Sequence, residues 1–248
     1  MSKTIIAATS DIHGDTSGIL EVVKSHNVDV LVIAGDIQPA NIWVQPDDWF
    51  KRKFFPLMAK LPCRVVSIPG NHDFWLASHY QTLNHIIPSN FVCLVDQMIT
   101  IDGINFWGTP WVPHISGSWC FEAEEGGDTM TDFLRRKFSL IPLCTDVLIT
   151  HSPMRLGDMD YSLQRDTERT CPFGSASLRD VLRERDRLPY LNFCGHIHSG
   201  DHRCTIFSNE KCRHNTYCFN VSRVSENYNV AYPIKVLEFK DNSIVECL

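Results

Sequence analysis

Five short apolar runs, each followed by an aspartate, an asparagine or a histidine, constrain the fold of this 248-residue chain most strongly. The runs are TIIAAT (4–9), DVLVIAG (29–35), RVVSIPG (64–70), DVLIT (146–150) and YLNFC (190–194). They are rich in Val, Ile, Leu and Phe and too short for typical helices, which predicts strands covered on both faces. Helical patterns alternate with them, over 16–26, 47–60, 74–86, 128–139 and 175–187. Alternation of strands and helices predicts an α/β layered fold.

Two further stretches predict strands joined by turns. One is 91–107, where Asp102-Gly103 is a strong hairpin signal, and the other is 203–247. We expect the two ends of the chain to supply sheets that pack together, and we expect Pro56 to break or kink the helix over 47–60. The chain contains no internal repeat and no obvious linker, so we predict a single domain over 1–248.

Charge and cysteine content narrow the classes of function. The net charge of -6 argues against a nucleic-acid groove, because such domains are usually basic. No apolar run approaches the ~20 residues that cross a bilayer, so no membrane association is expected. The first residues lack a secretory cleavage pattern. Ten cysteines without an export signal predict thiols in a reducing, cytoplasmic compartment.

A zinc site at the cysteine cluster is the less favoured of two interpretations. Cys204, Cys212 and Cys218 lie near His202 and His214, but they contain no CxxC pair, and structural zinc sites usually have closely spaced ligand pairs. Buried or half-buried thiols on strands are favoured.

The polar residues after the five runs predict a shared site. Ligands bind to open α/β sheets at the carboxyl ends of the strands. The residues at those ends are Asp11, His13, Asp36, Asn71, His151, His196 and His198. A single residue of this kind is weak evidence for a site, but seven at the same relative position on five strands indicate one shared binding site. Carboxylates, an amide and imidazoles suit a metal ion, which would also offset the cost of burying them.

These motifs resemble a known family. SDIHGD (10–15), AGDI (34–37), PGNHD (69–73), THSP (150–153) and GHIH (195–198) are similar, in order and spacing, to the motifs of calcineurin-like metallophosphoesterases. The resemblance implies a four-layer α-β-β-α sandwich, in which two mixed sheets are flanked by helices. It also implies a hydrolase with two divalent metal ions about 3.5–4 Å apart. Residue types alone leave Mn, Fe, Zn, Ni and Co open as the metals.

The resemblance also implies roles for single residues. One metal would be held by Asp11, His13, Asp36 and His198, and the other by Asp36, Asn71, His151 and His196, so that Asp36 bridges them. The ions would neutralise the phosphate and generate hydroxide, which attacks phosphorus in line with the leaving oxygen. His72 would lie near the phosphate and stabilise the departing oxygen as a general acid or hydrogen-bond donor. Asp73 is expected either to orient His72 or to cap the following helix.

A narrower resemblance concerns the substrate. FWGTPWVPHISGSWCFE (106–122) and FSLIPLCTDVLITHSPM (138–154) are similar to class III cyclic-nucleotide phosphodiesterases and to metallophosphoesterase-domain-containing proteins. This implies a small phosphodiester or nucleotide substrate, including 2′,3′- and 3′,5′-cyclic nucleotides. His196 is present where animal members can carry glycine, so we expect a complete second metal site. IQPANI (37–42) lacks the Asp-Arg-Gly continuation of protein serine/threonine phosphatases, which argues against that branch.

Two alternatives to a small-molecule phosphodiesterase stay open. One is a nuclease or DNA-repair phosphoesterase, and the other is a scaffold that kept the fold without the chemistry.

Two sets of loop residues have two interpretations each. One of Trp107, Trp111 and Trp119 could stack on a base, although packing over the sandwich edge is favoured. Arg155, Arg165 and Arg169, in the polar insert 154–174, could reach the phosphate, although a solvated loop is the default.

Overall fold

Two six-stranded mixed sheets, packed face to face, form the centre of the computed structural model, which describes residues 3–41, 43–126, 131–164, 169–240 and 243–247. The strands of the described residues are β1 (Thr4–Thr9), β2 (Val30–Ala34), β3 (Arg64–Ile68), β4 (Phe91–Cys93), β5 (Gln97–Ile101), β6 (Ile104–Thr109), β7 (Val112–Pro113), β8 (Glu122–Ala123), β9 (Val147–Thr150), β10 (Tyr161–Gln164), β11 (Arg169–Pro172), β12 (Leu191–Cys194), β13 (Thr205–Phe207), β14 (Thr216–Asn220), β15 (Lys235–Lys240) and β16 (Ser243–Cys247). The five apolar runs therefore form β1, β2, β3, β9 and β12, as predicted.

Short helices cover the sheets. They are α1 (Ile19–Ser25), α2 (Pro46–Trp49), α3 (Phe55–Met58), α4 (Phe74–His79), α5 (Phe133–Phe138) and α6 (Ala176–Arg183). A π-helical turn, Phe50–Phe54, joins α2 to α3, and two 3₁₀ turns cover Leu83–His85 and Gly157–Asp160. None of the helices in the described part of the chain combines the length and the apolarity needed to cross a membrane.

Both sheets combine parallel and antiparallel pairs. The first has the order β16-β15-β1-β2-β3-β4, with β1 to β4 parallel and β15 antiparallel to both of its neighbours. The second has the order β13-β14-β12-β9-β6-β5, with parallel inner strands and antiparallel strands at both edges. The carboxyl ends of β1, β2, β3, β9 and β12 consequently meet along one rim of the sandwich.

Alternation of side chains along the strands builds the layers. In β1, Ile5 and Ala7 pack against the helices, whereas Ile6 and Ala8 face the second sheet. Helices α1 to α4 cover the first sheet, and α5 and α6 cover the second through side chains such as Leu134. The four-layer α-β-β-α sandwich is thereby confirmed. The single domain over 1–248 stays a prediction.

The two sheets pack together, and the C-terminal stretch contributes strands to both of them rather than forming one sheet of its own. Strand β15 pairs with β1 in the first sheet, with Leu237 opposite Ile6, while β13 and β14 join the second sheet. Strand β1 is buried on both faces, and without β15 it would be a long apolar edge. The 91–107 stretch is divided too, because β4 joins the first sheet and the β5–β6 hairpin joins the second. Asp102 and Gly103 make the hairpin turn with φ of 49° and 82°.

The helix does not break at Pro56, and the other predicted outcome, a kink there, stays a prediction. The segment stays helical from Pro46 to Met58, and its hydrogen-bond pattern widens to a π turn over Phe50–Phe54. Pro56 lies in the first turn of α3, where its missing N–H is least costly. The continuous helix lets Phe50 and Phe54 stay fully buried against the first sheet.

Candidate metal centre

The backbone at the rim adopts conformations that side chains rarely accept. Asp11, His13, Asp36 and His196 have φ of 49°, 41°, 52° and 68°. Positive φ is uncommon for residues other than glycine and costs free energy, so the surrounding structure must impose it. Each of these residues follows a strand, and the turn directs its side chain toward the space between the strand ends. Four such residues at one rim are typical of a functional site.

Hydrogen bonds between loops of the two sheets hold the rim together. Within the first sheet, the Asp11 N–H donates to the Gly35 carbonyl at 2.9 Å, and the His13 N–H donates to the Asp36 carbonyl at 3.0 Å. Between the sheets, the Ser10 N–H donates to the Val221 carbonyl at 2.8 Å. The loops that carry the predicted ligands are therefore fixed relative to one another before any ion binds.

Three overlapping groups of potential metal ligands lie at this rim. Within each group the ligand atoms lie within 4.8 Å of one another. The groups are Asp11, His13 and His198; His13, Asp36 and His72; and Asp11, Asp36 and His151. Asn71 adds an amide oxygen, because its Oδ1 lies 2.9 Å from Nε2 of His151. Of the seven predicted ligands, the structure thus brings six together through their side chains.

His196 joins the rim in a different way. Its backbone N–H donates to the Asp11 carboxylate at 3.0–3.1 Å, and its ring centroid lies 5.1 Å from that of His151. The ring faces a cavity of about 200 Å³ that Asp36, Asn71 and His198 also line. Burial, and then the charge of the neighbouring His151, lower the pKa of His196 to about 3, so the imidazole is neutral.

The second nitrogens of two histidines are bonded to the backbone. Nδ1 of His151 donates to the Ala34 carbonyl at 2.9 Å, and Nδ1 of His198 donates to the Ser225 carbonyl at 3.1 Å. This arrangement directs Nε2 of each ring toward a carboxylate, 3.4 Å from Asp36 in one case and 3.2 Å from Asp11 in the other. Metal-ligating histidines usually have this kind of outer hydrogen bond.

Charges at the rim compensate one another. Burial opposes ionisation of Asp11 and Asp36, but His198 and His151 outweigh it and hold both carboxyl pKa values well below their ordinary range. Burial likewise opposes protonation of these two histidines, and the carboxylates overcome it, raising the pKa of each to about 9. The negative charges of the Asp11 and Asp36 carboxylates therefore lie in a buried site, where a positively charged group is needed to stabilise them.

His13 provides the test of whether a metal fits. Its side chain is buried, and neither Nδ1 nor Nε2 has a hydrogen-bond partner. Burial lowers its pKa to about 4, so the ring is neutral and its lone pair is available. A buried imidazole without partners is costly, and a cation would remove that cost. The donor set of carboxylate, amide and neutral imidazole therefore fits divalent metal ions.

Close approach of the backbone leaves no room for side chains at one position. A Cβ added to Gly70 would meet the Asp36 carboxylate and the His151 ring, neither of which can move freely. Glycine is the residue that allows β2, β3 and β9 to bring their ends so close together.

Comparison with known proteins assigns the chain to a family. The sequence model of the calcineurin-like phosphoesterase family matches residues 4–200, a range that contains every residue of the three ligand groups. The chain is a member of the calcineurin-like phosphoesterase family. The predicted family is confirmed, and the family implies divalent metal ions at this rim.

Curated relatives agree with this assignment. The chain is 27% identical over 220 residues to human Metallophosphoesterase domain-containing protein 1, with 79% of this chain and 61% of the relative covered. It is 37% identical over 118 residues to UPF0046 protein T07D4.2 of Caenorhabditis elegans, with 47% of this chain and 26% of that protein covered. The chain spans less than two thirds of the length of these relatives.

Solved structures share the fold of this phosphoesterase. One crystal structure superposes with a TM-score of 0.64 at 14% identity, covering 96% of this chain and 95% of the other. GAP50, the anchor in the inner membrane complex of Plasmodium, superposes with a TM-score of 0.50 at 13% identity over 98% of this chain and 83% of the other. At these identities the likeness concerns the fold alone.

The candidate catalytic residue His72 lies at the edge of the ligand groups. Its backbone N–H donates to Asp36 at 2.8 Å, and its ring centroid lies 4.9 Å from that of His13. On the other side, Trp119 lies against the ring at 4.3 Å. The ring lines the 200 Å³ cavity and is half-buried. Because its atoms also fall within one ligand group, His72 is close enough to act on a phosphate held there.

Asp73 joins the loop after β2 to the loop after β3 through hydrogen bonds. Its buried carboxylate accepts N–H groups of Ile37 at 2.9 and 3.1 Å, Gln38 at 2.6 Å and Gly70 at 2.7 Å. It occupies the N-cap position of α4 but makes no side-chain capping bond. Burial, and then the charge of Asp36, raise its pKa to about 7 against these amide bonds. The carboxylate therefore does not cap the helix as one of the two predictions had it, and its contacts favour a positioning role for the loop that carries His72.

The predicted tryptophans separate into two kinds. Trp107 is buried between the second sheet and the helices α5 and α6. Trp111 packs against Phe133, and its indole N–H donates to Asp96 at 2.9 Å. These two confirm the packing interpretation. Trp119 instead lines the cavity beside His72, where stacking on a substrate stays open.

The arginine predictions have different outcomes. The Nε of Arg155 donates to the Gly174 carbonyl at 3.3 Å, within the insert 154–174. Arg165 lies outside the described residues, and for Arg169 only the backbone is described. The stretch that carries Arg169 pairs with 161–164 as a two-stranded sheet, β10–β11.

The cysteine cluster does not form a metal group among the described residues. Cys218 is buried, Cys212 is half-buried and Cys204 is exposed, and the groups of potential ligands in the described part of the chain include no cysteine. No disulfide bond joins the described cysteines. The thiol interpretation is the one that fits these positions.

A sixth contribution to the rim, which the sequence pattern did not predict, comes from the segment after β14. Ser222 Oγ donates to Asp11 at 2.8 Å, and Ser225 accepts from His198. Glu226 and Tyr228 line the cavity, and the Tyr228 ring stands edge-on to His13 at 4.7 Å. Strand β14 is parallel to β12, so the same rule that singled out the other strand ends applies to it.

Proposed function

We propose that the chain hydrolyses small phosphodiesters, with cyclic nucleotides among its substrates, at a centre of two divalent metal ions in the cytoplasm. The observation that carries the proposal is that Asp36 belongs to two overlapping ligand groups, one with His13 and one with Asp11 and His151. A carboxylate shared in this way can bridge two ions, as two-metal phosphoesterases require. The absence of disulfides among the described cysteines supports a reducing compartment.

We assign the seven predicted metal ligands to two sets, which share Asp36. Asp11, His13, Asp36 and His198 would hold one ion, and Asp36, Asn71, His151 and His196 would hold the other. When bound, such ions supply Lewis acidity toward phosphate oxygens and acidify water. The outer bonds to Ala34 and Ser225 keep the imidazoles of His151 and His198 in the orientation that binding needs.

His72 is proposed to donate a proton to the departing oxygen. Its backbone bond to Asp36 and the Trp119 ring hold the imidazole at the mouth of the cavity. An alkoxide is a poor leaving group, and a donor in hydrogen-bond reach of it typically accelerates the step by about 10²–10⁴-fold. Asp73 contributes through the loop that carries His72.

Charge favours a diester over a monoester or a polynucleotide. The described residues that line the 200 Å³ cavity include Glu226 and no lysine or arginine. A phosphodiester carries one negative charge, whereas a monoester carries nearly two at neutral pH. Polynucleotide binding depends on a basic groove, and the chain has a net charge of -6. These observations favour a small monoanionic substrate.

The experiment compares two aryl substrates. Bis(4-nitrophenyl) phosphate and 4-nitrophenyl phosphate release the same chromophore, so their rates report the preference for diester directly. We expect faster turnover of the diester with Mn²⁺, loss of activity with a chelator, and recovery when metal is restored. Asp36→Asn should lower kcat/KM by about 100-fold or more, because the lost metal chemistry is worth several kcal/mol.

A matched control and a metal count make the test decisive. Asp15→Asn removes an aspartate of the SDIHGD motif whose carboxylate accepts hydrogen bonds from Ser17 and which belongs to none of the three ligand groups of the described residues, so it should retain activity. Metal analysis at saturation should give two ions per chain. Full activity of Asp36→Asn, or a single bound ion, would contradict the proposal, as would tight, salt-dependent binding of an oligonucleotide with no turnover of cyclic nucleotides.

A further inference from the structure

A second and larger cavity opens beside the candidate metal centre. Its volume is about 730 Å³, and it shares His72, Trp119 and Tyr228 with the 200 Å³ cavity. A space of this size holds an organic group as large as a nucleoside. Because His72 lies on the boundary, a phosphate at the metal centre would project one of its ester substituents into this space.

The lining of the larger cavity is neutral. Three aromatic rings, of Phe74, Trp119 and Tyr228, face it, together with prolines, an alanine and a valine. Its other polar groups are side-chain amides, and apart from the shared His72 the described lining residues carry no ionisable acid or base except the Tyr228 phenol. Such a surface suits an uncharged planar group with hydrogen-bonding edges and does not suit a second phosphate or a carboxylate.

Gln38 provides a fixed polar group in this lining. Its backbone N–H donates to Asp73 at 2.6 Å, and its Oε1 accepts the Trp75 N–H at 3.1 Å. These bonds immobilise the side chain and leave its NH₂ group to donate to a ligand. A preorganised amide of this kind gives orientation at little entropic cost.

Trp119 provides a fixed stacking surface. Its backbone N–H donates to Oε1 of Glu122 at 2.7 Å, and the other Glu122 oxygen accepts from Ile115 and Ser116 at 2.7 and 3.0 Å. By accepting these N–H groups, the Glu122 carboxylate fixes the conformation of the loop. The centroid of the indole then lies 4.3 Å from that of the His72 ring and 5.9 Å from that of the Phe74 ring. The indole thereby lines both the cavity at the metal centre and the larger cavity beside it.

We propose that the larger cavity binds the organic group of the diester and selects a planar heteroaromatic ring, with Trp119 as the stacking surface and Gln38 as a hydrogen-bond donor. This inference rests on the proposed function, because it deepens the specificity of the same site. It makes Trp119 and Gln38 specificity-determining residues rather than catalytic ones. A nucleobase is the kind of ring that meets both requirements.

The test uses two diesters with one leaving group. Thymidine 5′-(4-nitrophenyl) phosphate and methyl 4-nitrophenyl phosphate both release 4-nitrophenolate, so the ratio of their kcat/KM values isolates the contribution of the nucleoside. Stacking on an aromatic side chain predicts a ratio of about 10 or more in the wild type. Trp119→Leu should bring the ratio close to 1, and Trp119→Phe should retain most of it. Trp43→Leu is the matched control, since Trp43 is 84% exposed and outside this lining.

A binding measurement separates this inference from the proposed function. Thymidine and deoxyribose are titrated into the metal-free chain by calorimetry, with thermal melting to show that each variant is folded. We expect thymidine to bind, deoxyribose not to bind, and Trp119→Leu to weaken thymidine binding at least about 5-fold. Thymidine binding without hydrolysis of either diester would overturn the proposed function and leave the inference standing. Equal hydrolysis of both diesters with no thymidine binding would overturn the inference alone.

Discussion

Replacing Asp73 by asparagine tests whether this residue positions the metal centre or takes part in the reaction. The carboxylate uses both oxygens: one accepts from Ile37 and Gln38, and the other from Ile37 and Gly70. Whichever way an amide is placed, its NH₂ group faces at least one buried N–H donor that has lost its acceptor. Each buried group left unsatisfied costs about 1–3 kcal/mol, and removing a charge that is buried beside Asp36 returns part of that cost, so Asp73→Asn should destabilise the chain by about 1–2 kcal/mol.

The assay combines stability with metal binding. For a chain of this size 1 kcal/mol corresponds to about 2–4 °C, so Tm should fall by about 2–8 °C at about pH 8, where the wild-type carboxyl group is ionised. Because Asp73 joins the loop of Asp36 to the loop of Asn71, divalent metal affinity should fall by about 10-fold or more. Calorimetric titration with Mn²⁺ and thermal melting measure the two effects independently.

A catalytic role gives a different outcome. If Asp73 acted on His72 during the reaction, Asp73→Asn would lower kcat while Tm and metal affinity stayed at the wild-type values. That result would refute the positioning argument, and so would a variant that matched the wild type in all three measurements.

Three other substitutions probe separate parts of the molecule. Gly70→Ala should lower metal affinity at least about 10-fold in calorimetric titration, because its Cβ would meet Asp36 and His151; unchanged affinity would contradict the close packing described. Phe106→Ala, in the layer between the sheets, should cost about 3–5 kcal/mol in denaturant unfolding, whereas Met98→Ala, 40% exposed, should cost far less. Although burial raises it, the N–H groups of Trp119, Ser116 and Ile115 lower the pKa of Glu122 from 4.5 to about 2. The stabilisation by Glu122 is therefore complete above the unfolded value and is lost as pH falls toward 2, so the stability advantage of the wild type over Glu122→Gln should shrink across that interval; an advantage independent of pH would refute it.

Local patterns predicted the strands well because burial on both faces leaves a direct trace in the sequence. Each of the five runs forms a strand within two residues of its predicted bounds, and each is followed by the polar residue that the rim needs. The same logic explains the omission of Ser222 and Ser225. Strand β14 was expected only as one of several strands joined by turns over 203–247, and its parallel pairing with β12, which brings its carboxyl end to the rim, depends on tertiary structure.

Long-range partners explain the remaining differences. Asp73 precedes a helix, so its neighbours in sequence predict a cap, but amides 35 and 36 positions away compete successfully for its carboxylate. Trp119 looked like one of three similar loop tryptophans, and only Glu122 and the fold of its loop distinguish it. The π turn at Phe50–Phe54 likewise reflects the need to bury Phe50 and Phe54 against the first sheet, which outweighs the preference of Pro56 for a helix end.

The division of the rim between two sheets has a consequence for biosynthesis. Asp11, Asp36 and Asn71 leave the ribosome well before His151 and His198, and β1 gains its partner β15 only when Leu237 has been made. During synthesis, the carboxylates of Asp11 and Asp36 are therefore present before the imidazoles of His151 and His198 that compensate their charge. Likewise, the apolar strand β1 is present before its partner β15. Because side chains from both parts of the chain would be needed to hold an ion, we expect ion binding to come late in folding.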